Sequence, residues 1–135
     1  MAEYKSKTVL VHAAPMSLFN RITDVGALLA AVPEEQRRNI TVEGDTITST
    51  VSGFTIAVKI SEKVPFSKVV IEDVEAPFHF RVTFHFDAAE LLSETMLTIE
   101  VSADLNFMMK TLLGGKIQEY LDKAVTAIST GQFLG

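Results

Sequence analysis

Polar and apolar residues alternate through the middle of the chain. Between Asn39 and Asp104 the period is two, the spacing of strands with one face buried and one face wet. Ile40 and Val42 alternate with Thr41 and Glu43, and Gly44-Asp45 marks a turn. Ile47, Ser49 and Val51 alternate with Thr46, Thr48 and Thr50, and Gly53 marks the next turn. Phe54, Ile56, Val58 and Ile60 alternate with Thr55, Ala57, Lys59 and Ser61 until Pro65 breaks the run. Residues 68–75 predict a strand with a less regular pattern, ended by Ala76-Pro77. The clearest alternation follows. Phe78, Phe80, Val82, Phe84 and Phe86 hold one parity against His79, Arg81, Thr83, His85 and Asp87. Residues 94–103 repeat it, with Leu97, Ile99 and Val101 against Met96, Thr98, Glu100 and Ser102. Thr46, Thr48, Lys59, Arg81, Thr98 and Glu100 belong to the expected wet face.

The flanks read differently. Residues 5–12 predict one short strand. Pro15 suits a first helical turn, where its missing N–H costs nothing, and Leu18, Phe19 and Ile22 give a stripe for a helix over 15–23. Asp24 is placed to cap a second short helix through Ala31, stopped by Pro33. A long helix over 105–129 closes the chain, with Leu105, Met108, Met109, Leu112, Ile117, Tyr120, Leu121, Ala124 and Ile128 as its stripe. Gly114-Gly115 interrupts that stripe at a cost of roughly 1–2 kcal/mol against alanine. Residues 131–135 are expected to fray. The expected fold class is α+β: a seven-stranded antiparallel sheet whose apolar face the long helix covers, with two short helices between strands 1 and 2. No repeat or linker divides residues 1–135, so one domain is expected.

Composition narrows the chemistry. The chain has 135 residues, 47% apolar and 21% charged, enough for a packed core. Cysteine is absent, which removes disulfides, thiolate metal sites and a cysteine nucleophile. A net charge of −5 disfavours a phosphate backbone as partner. The run Val9-Leu10-Val11 is shorter than the roughly 7–15 residues of a signal core, and no stretch approaches the ~18 of a membrane span. A soluble cytoplasmic protein is expected.

Candidate catalytic groups are few. His79 and His85, on one strand, stand about 20 Å apart at ~3.3 Å per residue and cannot share a metal. His12, Arg21 and Arg81 have solvent-facing positions. No HExxH, GxSxG or phosphate-loop pattern occurs, and neither metal nor cofactor is expected. The Phe ladder reads as packed core before it reads as a ligand-lining wall. The glycine pair reads as a tolerated weakness in the helix, as room for a ligand, or as a close approach of helix to sheet. Asp73 shares parity with Val69 and Ile71 and so faces inwards, unless a bulge puts Val70 and Val74 inside instead. Ser49 is the small polar residue of inward parity, and Tyr120 offers a hydroxyl either to a ligand or to water at a cavity mouth.

Four local motifs stand in a familiar order. They are Pro15-x-x-Leu18-Phe19-x-x-Ile22-Thr23-Asp24, the later Pro33, Glu62-Lys63-Val64-Pro65, and Met108-Met109-x-x-Leu112-Leu113-Gly114. With the order of elements they resemble the SRPBCC superfamily, the START-like helix-grip fold shared with birch-pollen-type allergens and polyketide cyclases. The resemblance spans nearly the whole chain. It implies a curved sheet gripping the last helix with an apolar cavity between them. The expected lining is Phe54, Ile56, Val58, Phe80, Phe84, Leu97, Ile99, Met109, Leu113, Ile117 and Tyr120. The function it implies is binding of a small apolar molecule (a lipid, an isoprenoid or an aromatic polyketide) by a monomer or homodimer. The alternatives are a cyclase or dehydratase, with Asp73 and Tyr120 as its acid–base groups, and a protein-interaction module of the chaperone-activator kind.

Overall fold

A computed structural model of the chain, described over residues 2–24, 38–51 and 53–130, turns these patterns into strands and helices in the expected order. The strands are β1 (Ala2–Lys5), β2 (Val9–Val11), β3 (Ile40–Glu43), β4 (Thr46–Val51), β5 (Phe54–Val64), β6 (Lys68–Glu75), β7 (Phe80–Ala88) and β8 (Thr95–Ala103). The helices are α1 (Pro15–Thr23) and α2 (Phe107–Ser129). All strands form one open antiparallel sheet in the order β1-β8-β7-β6-β5-β4-β3, with β2 following β1 along β8. Strands β3 to β8 succeed one another as hairpin neighbours, and Gly44, at φ 61°, makes the two-residue turn between β3 and β4.

Among the described residues the sheet has eight strands where seven are expected, because residues 5–12 are not one strand. Ala2 to Lys5 pair with Ala103 to Glu100, and Val9 to Val11 pair with Leu97 to Thr95. One extra residue lies between the two registers, which is a β-bulge. Ser6 holds it: its N–H donates to the Ile99 carbonyl at 2.8 Å and its Oγ accepts from the Ile99 N–H at 2.9 Å. The bulge reverses parity, so Tyr4 faces inwards before it and Val9 and Val11 after it. It also covers Thr98, whose hydroxyl lies 2.7 Å from that of Thr8. Thr98 is therefore buried rather than part of the wet face.

In α1, Pro15 stands in the first turn, and Leu18 and Ile22 are fully buried one turn apart. The helix packs on β6 and β7, and Phe19 meets Phe66 and Phe86 edge to face. The second expected helix, the Pro33 stop and residues 131–135 lie outside the described residues.

α2 begins two residues later than its pattern indicates, where the Asn106 Oδ1 accepts from the Met109 N–H at 2.8 Å. It runs through Gly114-Gly115 without a break. Its sequence stripe is wider than its buried face. At about 100° per residue, Met108 and Leu112 fall well away from the line of Leu113, Ile117 and Leu121, and both are exposed. The helix packs on β1, β2 and β8. Two hydrogen bonds fix it there, using groups that the bulge frees from the ladder. Gln118 Nε2 donates to the Lys5 carbonyl at 2.8 Å, and Asp122 Oδ1 accepts from the Lys7 N–H at 3.0 Å. The closed core, with Val11, Leu18, Val69, Phe86, Leu97 and Val125, lies between α1, α2 and the sheet.

Candidate functional site

With α2 seated towards the β1–β2 flank and α1 on β6 and β7 near Val69 and Phe86, the rest of the inner face of β5, β6 and β7 borders open space. A cavity of about 970 Å³ occupies that space. Its sheet wall is Ile56, Ile71, Phe78, Phe80, Val82, Phe84, Ile99, Val101 and Ala103. Its helical wall is Ile22 of α1 with Leu113, Lys116, Ile117, Tyr120, Leu121, Ala124, Ala127 and Ile128 of α2. Every lining residue except Lys116 and Tyr120 is apolar. Ala103, Ala124 and Ala127 matter most for the space, because they end at Cβ where a filled core would carry longer side chains. Lys116, Tyr120 and Ala124 are exposed and follow one another by a turn, so the opening runs along this side of α2. The far side of the helix is sealed by Leu121 and Val125, both buried.

The expected lining splits accordingly. Ile56, Phe80, Phe84, Ile99, Leu113, Ile117 and Tyr120 line this space. Leu97 does not: it has the right parity but lies where α1 and α2 close over the sheet, at 0% exposure. Met109 lines a separate cleft of about 410 Å³ at the start of α2, with Pro77, Phe78, His79, Asp104 and Asn106. Val58 lies outside both linings, although it shares the parity of Ile56. The Phe54 side chain lies outside the described residues. Several lining residues were not expected. Phe78, Val82 and Val101 share the parity of residues that were, and Ala124 and Ile128 sit on the helical stripe. Lys116 carried no such signal, since a charged helical residue reads as solvated.

Asp73 is not a cavity acid. Its Oδ1 accepts from the Phe80 N–H at 2.8 Å and its Oδ2 lies 2.9 Å from His79 Nδ1. It thereby ties the β6–β7 connection together. Burial pushes its carboxyl up, but the Phe80 N–H and the adjacent His79 outweigh this and hold it below its ordinary value. Neither expected reading of this strand holds in full. The irregular residue is Val74, skipped where Ala57 pairs with Glu75 and Val58 with Asp73; Val74 is exposed and Val70 buried. The other histidines also face carboxylates: His12 lies 2.7 Å from Glu94, and His85 3.2 Å from Glu100.

Gly114 is explained by Tyr4. A Cβ there would lie 3.1 Å from the Tyr4 hydroxyl, whereas one at Gly115 would meet nothing within 4 Å. Of the readings for this pair, Gly114 serves the close approach of helix to sheet.

No family model and no curated protein matches the sequence. Solved structures do. An uncharacterised protein from Bacillus thuringiensis superposes with a TM-score of 0.67 at 12% identity, over 99% of this chain and 100% of its own. A protein from Deinococcus radiodurans gives 0.64 at 10% identity, over 99% of each chain. The Aha1 dimer from Colwellia psychrerythraea gives 0.59 at 14% identity, over 90% of this chain and 97% of that one. At such identities the likeness is one of fold: an antiparallel sheet joined to a long C-terminal helix.

Proposed function

We propose that this chain is an SRPBCC-type binding protein that holds a small hydrophobic molecule, such as a lipid, an isoprenoid or an aromatic polyketide, between its sheet and α2. One observation carries the reading: a space of about 970 Å³ with a nearly continuous apolar lining. That is at the upper end of the ~300–1,000 Å³ of small-molecule sites. Empty, such a space leaves its walls without dispersion partners, so an occupant of matching polarity stabilises the fold. The cyclase reading draws less support. Acid–base chemistry needs a group placed beside the substrate, and Asp73 is engaged with Phe80 and His79. A protein-interaction role draws on the exposed Met108 and Leu112, one turn apart on α2.

Native mass spectrometry of freshly purified protein, followed by organic extraction, tests the binding role. An apolar adduct on the wild type that is absent from Ala127→Phe, where a ring enters the space from a half-buried position, is the expected result. If a broad panel of apolar compounds leaves the thermal midpoint unchanged, the proposal is wrong. A ligand at ~100 times its Kd adds about 2.7 kcal/mol, a shift on the order of 10 °C for a chain of this size.

A further inference from the structure

The two polar residues of the lining stand together. Lys116 and Tyr120 are one turn apart on α2 and both are exposed, so they mark the opening rather than the depth. Side chains at this spacing neighbour each other, with Cβ atoms about 5–6 Å apart. A lysine at an apolar rim lays its methylene stem along the wall and keeps its ammonium in water. Among the described residues no carboxylate pairs with Lys116. The nearby acids on α2 are engaged elsewhere: Glu119 with Lys123 at 3.0 Å, and Asp122 with Lys7 and Gln118. The protein carries a net charge of −5, so one unpaired cation at the mouth stands out against its surroundings.

Resting on the binding role above, we infer that the occupant is an amphiphile with a carboxylate head, its chain in the cavity and its head between the Lys116 ammonium and the Tyr120 hydroxyl. One cation and one hydroxyl match a monoanion. A phosphate monoester, with about −1.5 to −2 charges at neutral pH, leaves charge unmatched here.

Calorimetric titration with dodecanoate, dodecanol and dodecylammonium at neutral pH tests this. Dodecanoate is expected to bind the wild type about fivefold more tightly than dodecanol, the size of a rim ion pair worth ~1 kcal/mol. Lys116→Gln brings the two together by weakening dodecanoate alone, and Lys116→Glu turns the preference towards dodecylammonium. Equal binding of all three compounds, or an anionic preference that survives Lys116→Gln, overturns the head-group assignment while the cavity role stands. Failure of all three to bind wild type overturns the head-group assignment, and the apolar panel above decides the cavity role separately.

Discussion

Gly114 and Gly115 are neighbours with opposite constraints. Alanine is worth roughly 0.5–1 kcal/mol more than glycine inside a helix. Gly115 faces open space, so Gly115→Ala is expected to collect that gain and raise the thermal midpoint by a few degrees. Gly114→Ala meets the Tyr4 hydroxyl at 3.1 Å and is expected to fall short of it. Adding Tyr4→Phe restores the shortfall if the hydroxyl is the obstacle, and differential scanning calorimetry on the series checks this. Phe66 is a second such residue. Its φ of 62° costs an L-residue roughly 1–2 kcal/mol, and its ring packs edge to face on Phe19 at 5.8 Å. Phe66→Ala loses the ring and keeps the strain; Phe66→Gly loses the ring and releases it. Urea denaturation is expected to find the glycine variant the more stable by about 1 kcal/mol, the reverse of the usual order. Pro65 announces a turn there, but the left-handed residue was not legible, because phenylalanine is a poor marker for that conformation.

Among the elements, the regular strands were legible and their irregularities were not. Phe80 to Phe86 alternate without exception, so parity alone puts them on the inner face. The bulge at Ser6 is one residue in a run that still reads as a strand. Its trace is a change of parity, from Tyr4 to Val9 and Val11, that is easily taken for one indifferent edge strand. Its importance is testable. Ser6 is 6% exposed and its Oγ satisfies the buried Ile99 N–H. Ser6→Ala leaves that donor unpaired and is expected to cost about 1–3 kcal/mol, measured as a lower denaturation midpoint with an unchanged slope. The helical stripe misled for a related reason: apolar spacing marks which residues avoid water on average, and cannot tell Leu112, a quarter turn off the line, from Leu113.

At the scale of the whole molecule, the cavity was legible as a possibility and its volume was not. Alternation shows which side chains face inwards; it does not show how far away the opposite layer stands. That distance follows from where α2 docks, through Tyr4 on Gly114, Gln118 on Lys5 and Asp122 on Lys7. Acid is expected to loosen this arrangement. The Asp122 carboxyl is held below its ordinary 3.8 by the Lys7 N–H and Gln118. Asp73, despite the burial that raises it, is held below 3.8 by the Phe80 N–H and His79. A carboxyl lowered by folding adds stability that is present above its unfolded value and lost as pH falls through its folded value. The thermal midpoint is therefore expected to drop as pH descends below 3.8, and the Asp73→Asn, Asp122→Asn double variant to show a shallower fall. Parallel limbs for the two proteins count against these carboxylates as the source.

The pairing of β1 with β8 also governs how the molecule assembles. Ala2 meets Ala103, and the Lys7 N–H meets Asp122, so β1 and the residues after it find their partners only in β8 and α2. Contacts of such long sequence separation slow folding, since loop closure has to precede them. During synthesis the hairpins from β3 to β8 can form in turn, while the first strand waits with its hydrogen-bonding groups unpaired. The flank that seals the cavity is the last of the sheet to be built, because β1 has no place to go until β8 has been made.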